Sequence, residues 1–267
     1  MAILSSIKQR LARLAGWATL DELRILQSQL RHLSERNPAL IERVARFVAC
    51  EMIAGDYVEF GVYQGASFQS AYTAFQHGFS ARIAQTSGNA PAEHRAQREA
   101  LWKNMRFFAF DSFQGLPELQ GVDRKSRDFS IGQYAASENE FRAHLANTGM
   151  EMERVAIVPG WFQDTCTIES FARIGLQKIA VAWVDCDLYE SAHSILEPIT
   201  PLLQDGSIIV FDDWFAFRGH PKRGEQRAFN EWQQQHPELM LTPFHQEGTW
   251  RMSFIVSYSD EFQYSMQ

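Results

Sequence analysis

Five short apolar runs return at helix-sized intervals through the middle of this chain: Tyr57–Val62, Phe107–Asp111, Val155–Pro159, Ile179–Asp185 and Ser207–Asp212. Runs of this length, rich in Val, Ile, Ala and Phe, read as strands buried on both faces. Strands separated by helix-length stretches imply a parallel sheet with helices on both sides. Two later runs, Leu239–Phe244 and Arg251–Tyr258, are joined by a short stretch containing Gly248 and read as an antiparallel hairpin. The expected fold is therefore α/β, with a mostly parallel sheet of about seven strands ending in a C-terminal antiparallel hairpin.

The stretch before the first run has a different period. Leu23, Leu26, Leu30 and Leu33 form an apolar helical stripe, and Ile41, Val44, Ala45 and Val48 form another after Pro38. Residues 1–50 are expected to be a helical cap or a dimerisation segment, and residues 51–267 the main domain, with a homo-oligomer formed through the N-terminal helices. At 267 residues, 45% hydrophobic and 21% charged, the chain has enough apolar surface for one sizeable core. The net charge of -7 argues against general nucleic-acid affinity, although the first fifty residues are locally basic and read as a solvated helix face. Cys50, Cys166 and Cys186 form no CxxC pair, which suits a reducing compartment. No apolar run approaches the roughly 18 residues of a membrane span, and no secretion signal is evident at the N-terminus, so a cytoplasmic location is expected. Two polar interruptions stand out, at 80–105 and at 114–133. The second follows directly on a strand end, where a lid or a plain surface insertion would both fit.

The chemistry concentrates at strand ends. The fourth run closes in VDCDLYES, carrying Asp185 and Asp187, and the fifth in VFDDW, carrying Asp212 and Asp213. Ligands of open α/β sheets gather at the carboxyl ends of the strands. Four carboxylates there would repel one another, and a bound divalent cation is the simplest remedy. One such Asp could be a helix cap, but four exceed what capping needs. On an ideal strand Asp185 and Asp187 share a face. The first run ends in VEFGVYQGAS, in which Gly61 and Gly65 permit close backbone approach at a strand-to-helix turn. Their spacing is GxxxG, not the GxGxxG of dinucleotide folds. Glu59 beside that turn disfavours phosphate and suits an ammonium group. Asp111, ending the second run, is placed to accept hydrogen bonds from ribose hydroxyls. Ribose, a positive amine and no phosphate together describe S-adenosylmethionine. After the third run, Trp161 and Phe162 in PGWFQDT could flank a purine, or simply be core.

The ordered set VEFGVYQGAS, FAFDSFQGLP, PGWFQDT, VDCDLYES and VFDDW, followed by GEQRAFNEW, resembles the macrocin O-methyltransferase family over about residues 50–258. These bacterial enzymes methylate sugar hydroxyls of macrolides and related natural products. The resemblance implies a class I methyltransferase fold, S-adenosylmethionine as donor, dependence on magnesium (Mg2+), and a small-molecule hydroxyl acceptor such as a glycoside. Position by position it implies Asp185, Asp212 and Asp213 as metal ligands and Asp187 as general base. It places Glu59, Gly61, Ser67, Asp111 and Ser112 on the cofactor, Gly160 and Trp161 near its adenine, and Tyr63 near its methionine end. The chain departs from the family pattern at Trp214, where Tyr is commoner, in the basic segment FAFRGHPKRGEQ, and in the insertion at 80–105. An acceptor pocket built from Trp214, Phe215 and Phe217 with Arg218, His220, Lys222 and Arg223 is one expectation from that segment. Two rivals remain at this stage: a DxD-type metal-dependent nucleotide-sugar glycosyltransferase, which would need basic groups for a diphosphate, and a non-catalytic scaffold of the same fold.

Overall fold

The structure is a computed structural model that describes residues 39–85, 92–125 and 129–259. The leucine stripe Leu23–Leu33, and with it the expected N-terminal helices and dimer contact, lies outside the described residues. The compact unit that contains the sheet begins at Leu40.

The first described helix, α1 (Leu40–Glu51), lies inside this unit and not in a separate cap. Its stripe of Leu40, Val44, Ala45, Val48 and Ala49 is wholly buried, which is why the second apolar stripe belongs to the core. After it come β1 (Asp56–Phe60), α2 (Ala66–Ala84), α3 (Ala92–Asn104), β2 (Phe107–Asp111), α4 (Glu138–Ala146), β3 (Val155–Pro159), α5 (Ile168–Ile174), β4 (Ile179–Val184), α6 (Tyr189–Ile199), β5 (Ile208–Phe211), α7 (Gly224–Gln235), β6 (Leu239–Glu247) and β7 (Arg251–Tyr258). The polar stretch 80–105 thus supplies the end of α2 and all of α3.

The sheet has seven strands in the order β3-β2-β1-β4-β5-β7-β6. The first five are parallel, and β7 pairs antiparallel with both β5 and β6. The expected mostly parallel sheet with a terminal hairpin is what forms. Pro243 sits on the outer strand β6 beside a register shift, where a missing N–H costs least. Strands β1 and β4 run side by side although the chain between them visits β2 and β3 on one flank. The strand order therefore reverses between them, and that is the topological switch point at which such sheets bind ligands.

Alternation along β1 divides two cores. Tyr57 belongs to one, with Phe68, Phe75, Phe107 and Phe141 from α2, β2 and α4. Val58 and Phe60 belong to the other, with Phe108, Phe110, Phe171, Ile195 and Phe229. All six residues of β4 are buried, as a central parallel strand covered on both faces requires. Glu59 points to the Tyr57 side, and Trp183 of β4 and Val210 of β5 are its successive neighbours on that face. This row leads outward to Asp185 and Asp212.

Candidate active site

Strands β1, β4 and β5 are each extended by one ladder bond past their assigned ends. The Gly61, Asp185 and Asp212 amides donate to the Phe110, Phe60 and Val184 carbonyls at 2.8, 2.9 and 2.9 Å. The carboxyl edges of β2, β1, β4 and β5 are therefore tied into one shelf.

On the β4–β5 half of that shelf, Asp185, Asp212 and Asp213 each present an oxygen within 4.8 Å of the other two. Burial and mutual repulsion raise the pKa of Asp185 well above the ordinary carboxyl range and push Asp213 up to about 6. Asp187 is only 7% exposed. Its pKa is pushed up to about 9, first by burial, then by the charge of Asp213 and by a hydrogen bond shared with that carboxyl. Asp187 is not on the strand. It is the apex of a three-residue turn closed by the Leu188 amide on the Cys186 carbonyl at 2.6 Å, with φ 63. The same-face expectation for Asp185 and Asp187 fails for that reason: β4 ends at Val184, and a strained turn brings the second carboxylate back to the cluster.

Two further acidic groups surround the cluster. Glu225, at the start of α7 and 1% exposed, accepts from the Asp213 amide at 3.0 Å, while its Oε1 has no partner. Burial first, and then the charges of Asp213 and Asp212, raise its pKa well above normal. Glu59 is fully buried; the hydroxyls of Tyr57 and Ser67 each donate to it at 2.5 Å, and burial pushes it up to about 8. Both carboxylate oxygens of Glu59 are thus engaged by the protein, and with them the hydroxyl of Ser67.

The β1–β3 half is organised by Asp111. Its Oδ2 accepts from the Val62 and Tyr63 amides at 2.8 and 3.1 Å, and its Oδ1 accepts from the Phe113 amide at 2.7 Å. Its own carbonyl accepts from the Gly160 amide at 2.9 Å. Gly61, Tyr63, Asp111, Ser112, Gly160 and Trp161 are in this way gathered on adjoining loops. Ser112 closes its own turn, accepting from the Gln114 amide and donating to the Gly115 carbonyl. Gly61, at φ 91, is required by the chain itself, because a Cβ there would lie 1.8 Å from the Asp185 carbonyl oxygen. That contact joins the two halves of the shelf. Tyr63, at φ 45 and 43% exposed, packs edge-on against Tyr134 with ring centroids 6.0 Å apart.

Leu116, Asp123 and Phe129, from the described parts of the polar stretch 114–133, pack beside the acid half. Leu116 and Phe129 form a small core with Leu188, Ala216 and Phe217, next to Asp187 and Asp213. Asp123, 1% exposed, accepts from the Tyr189 amide at 3.0 Å and so caps α6, whose own cap position holds Leu188 and supplies no side chain. The same small core corrects the expected acceptor pocket. Phe217 is buried against Phe129, and Trp214 packs on Phe211, Phe229 and Phe254, so both serve packing. Arg218 and Lys222 are exposed.

Sequence reasoning missed Glu225, Asp123 and Arg251. Arg251 opens β7. Its Nε and Nη2 donate to the two oxygens of Asp212, and its Nη1 to Glu247 at 3.0 Å. Glu225 stood in the GEQRAFNEW motif, but only as a family mark. The other two depend on long-range pairings, Arg251 across the β5–β7 pair and Asp123 at the start of α6, that no local pattern carries.

A family model described as macrocin-O-methyltransferase (TylF) matches residues 96–240. Among characterised proteins, the 8-demethyl-8-(2,3-dimethoxy-alpha-L-rhamnosyl)-tetracenomycin-C 4'-O-methyltransferase of Streptomyces olivaceus is 31% identical over 174 residues, covering 62% of this chain and 56% of that protein. The demethyldecarbamoylnovobiocin O-methyltransferase of Streptomyces niveus is 33% identical over 110 residues, 39% of this chain and 40% of the relative. The chain thus matches about half the length of these relatives, or less. Among solved structures, the O-methyltransferase NovP superposes with TM-score 0.57 at 21% identity, covering 80% of this chain and 77% of that one. CalS11, a calicheamicin methyltransferase, gives 0.54 at 21%, covering 94% and 91%. At this identity they establish the fold, that of class I O-methyltransferases.

Proposed function

The chain belongs to the macrocin O-methyltransferase family, and from that premise we propose that it transfers the methyl group of S-adenosylmethionine to a hydroxyl of a small molecule, a sugar hydroxyl of a natural-product glycoside. Both characterised relatives named above are O-methyltransferases, and one acts on a rhamnosyl group by its name. The observation that carries the reading is the meeting of two unlike half-sites at the switch point. One is a loop shelf organised by Asp111, and the other is the triad Asp185, Asp212 and Asp213 with Asp187 beside it.

The donor set of the triad is all oxygen, and its atoms lie close enough together to share one ion, which suits a hard divalent cation such as Mg2+. Asp185, Asp212 and Asp213 are the residues assigned to hold it. Such a cation would supply charge that relieves their repulsion and acidifies a nearby hydroxyl. S-adenosylmethionine supplies an electrophilic methyl group on a sulfonium. With a cation offsetting the charge of the cluster, Asp187 would stand ionised, take the proton of the acceptor hydroxyl and pass it on to water; the sulfonium would give up its methyl group to that oxygen, leaving a methyl ether and S-adenosylhomocysteine. Asp111, with the Gly61–Tyr63 turn, Ser112, Gly160 and Trp161, is assigned to the cofactor. Glu59 and Ser67 act behind that turn: fully engaged with each other and with Tyr57, Glu59 shapes the loop from beneath. A positioned base contributes about 10²–10⁴-fold to such a reaction.

The glycosyltransferase reading is not favoured, since the family membership is that of methyltransferases and Glu59 sits beneath the first turn, where a diphosphate would need cations. Calorimetry with S-adenosylmethionine and with a nucleotide-sugar, followed by a methyl-transfer assay over a panel of glycosides, tests the proposal. Binding of S-adenosylmethionine with methylation of at least one glycoside is expected. Binding of the nucleotide-sugar alone would overturn it.

A further inference from the structure

The acid cluster brings Asp185, Asp187, Asp212, Asp213 and Glu225 to one place, with Glu59 beneath. Arg251 is the cation whose ion pair reaches that cluster among the described residues. Its place follows from topology. Strands β5 and β7 pair antiparallel with Phe211 opposite Met252, so the next residues outward, Asp212 and Arg251, project together on the face that carries Glu59, Trp183 and Asp185. The guanidinium meets Asp212 with two nitrogens on two oxygens, Nε to Oδ1 and Nη2 to Oδ2 at 3.4 Å. A forked contact of this kind sets the plane of the carboxylate as well as neutralising it.

Arg251 is itself held on three sides. Glu247, opposite it in the β6–β7 hairpin, accepts from Nη1 at 3.0 Å, and the other Glu247 oxygen accepts from the Leu40 amide at 2.6 Å. The guanidinium also lies over the Trp183 ring, 5.7 Å from its centroid. The chain from α1 through Glu247 and Arg251 to Asp212 therefore links the helical face of the unit to one member of the triad.

We propose that Arg251 is a positioning residue of the acidic centre: its fork orients Asp212 toward Asp185 and Asp213, and its charge offsets that of the carboxylates while no divalent cation is bound. This rests on the assignment of the triad to a cation. Arg251 touches neither the reacting atoms nor the acceptor; it acts through Asp212. An ordinary hairpin ion pair would add little, and would add it equally with and without a cation.

The test is calorimetric titration of Mn2+, as a probe for Mg2+, into the full chain, with thermal unfolding in chelator and in saturating Mg2+. Wild type is expected to bind Mn2+ at one site. Arg251→Lys keeps the charge and loses the fork, and is expected to weaken Mn2+ binding about tenfold, the lower end of what outer partners of metal ligands contribute. Arg251→Gln loses the charge as well, and is expected to lose several degrees of melting temperature in chelator and to regain most of them in Mg2+. If wild type binds no Mn2+, the cation assignment itself fails and the proposal falls with it. If wild type binds Mn2+ and Arg251→Lys binds it equally well, the cation assignment stands and the proposal alone is overturned. An Arg251→Gln deficit that is the same in chelator and in Mg2+ also overturns it.

Discussion

Asp187 combines three properties that ordinary surface carboxylates lack together: burial, a left-handed backbone at the apex of a tight turn, and a hydrogen bond with a second carboxyl. Asp tolerates such a backbone better than most residues, but the conformation still stores strain that the surrounding packing must hold. Leu188, buried in the small core beneath segment 114–133, is the residue that holds it. Replacing Asp187 by Asn keeps the shape and removes the proposed base. The expected result is a fall in kcat of about 10²–10⁴-fold with S-adenosylmethionine affinity unchanged, measured by single-turnover kinetics and calorimetry. Loss of cofactor binding in that variant would instead mean that the turn was broken.

At the scale of elements, the strands were legible because a parallel strand covered on both faces is mostly apolar, and β1 to β5 are, with Asp56, Glu59 and Asp111 as the exceptions. The runs read from sequence overshoot at Val62, Asp185 and Asp212, since the residues that carry chemistry sit just past the last ladder pair. The acidic triad was legible for the same reason: its members follow buried strands immediately. Arg251 and Asp123 were not, because each meets its partner across elements far apart in the chain. Trp214 and Phe217 looked like pocket walls, but aromatic composition does not say toward which side a ring faces. The anchoring of segment 114–133 is now specific. Its Asp123 caps α6 from outside, so Asp123→Ala is expected to cost about 1 kcal/mol, or roughly 2–4 °C in melting temperature for a unit of this size. Hydrogen exchange at the Tyr189 amide should quicken in that variant; unchanged protection there would show that the cap is not held in solution.

For the whole molecule, the cluster couples folding to pH and, on the proposed assignment of the triad, to cations. Asp187 is pushed up to about 9, Glu59 to about 8 and Asp213 to about 6, each by burial first. Unfolded, these groups titrate near 4. Between those limits the folded protein therefore holds more protons than the unfolded chain, and stability falls as pH rises from about 4 to about 9. In chelator, the melting temperature should decline across that window, less whatever other groups add. In saturating Mg2+ the decline should flatten, because a bound cation replaces the protons. A slope indifferent to Mg2+ would contradict the assignment of the triad.

The central proposal is methyl transfer at the ends of β4 and β5 with a cation between Asp185, Asp212 and Asp213. Its most direct measurement is the initial rate of methyl transfer to a responsive glycoside across a chelator-buffered series of free Mg2+. The expected rate rises from background and saturates, and it stays at background throughout the series when Asp212 is replaced by Asn. A rate that is flat from chelator to saturating Mg2+ would contradict it.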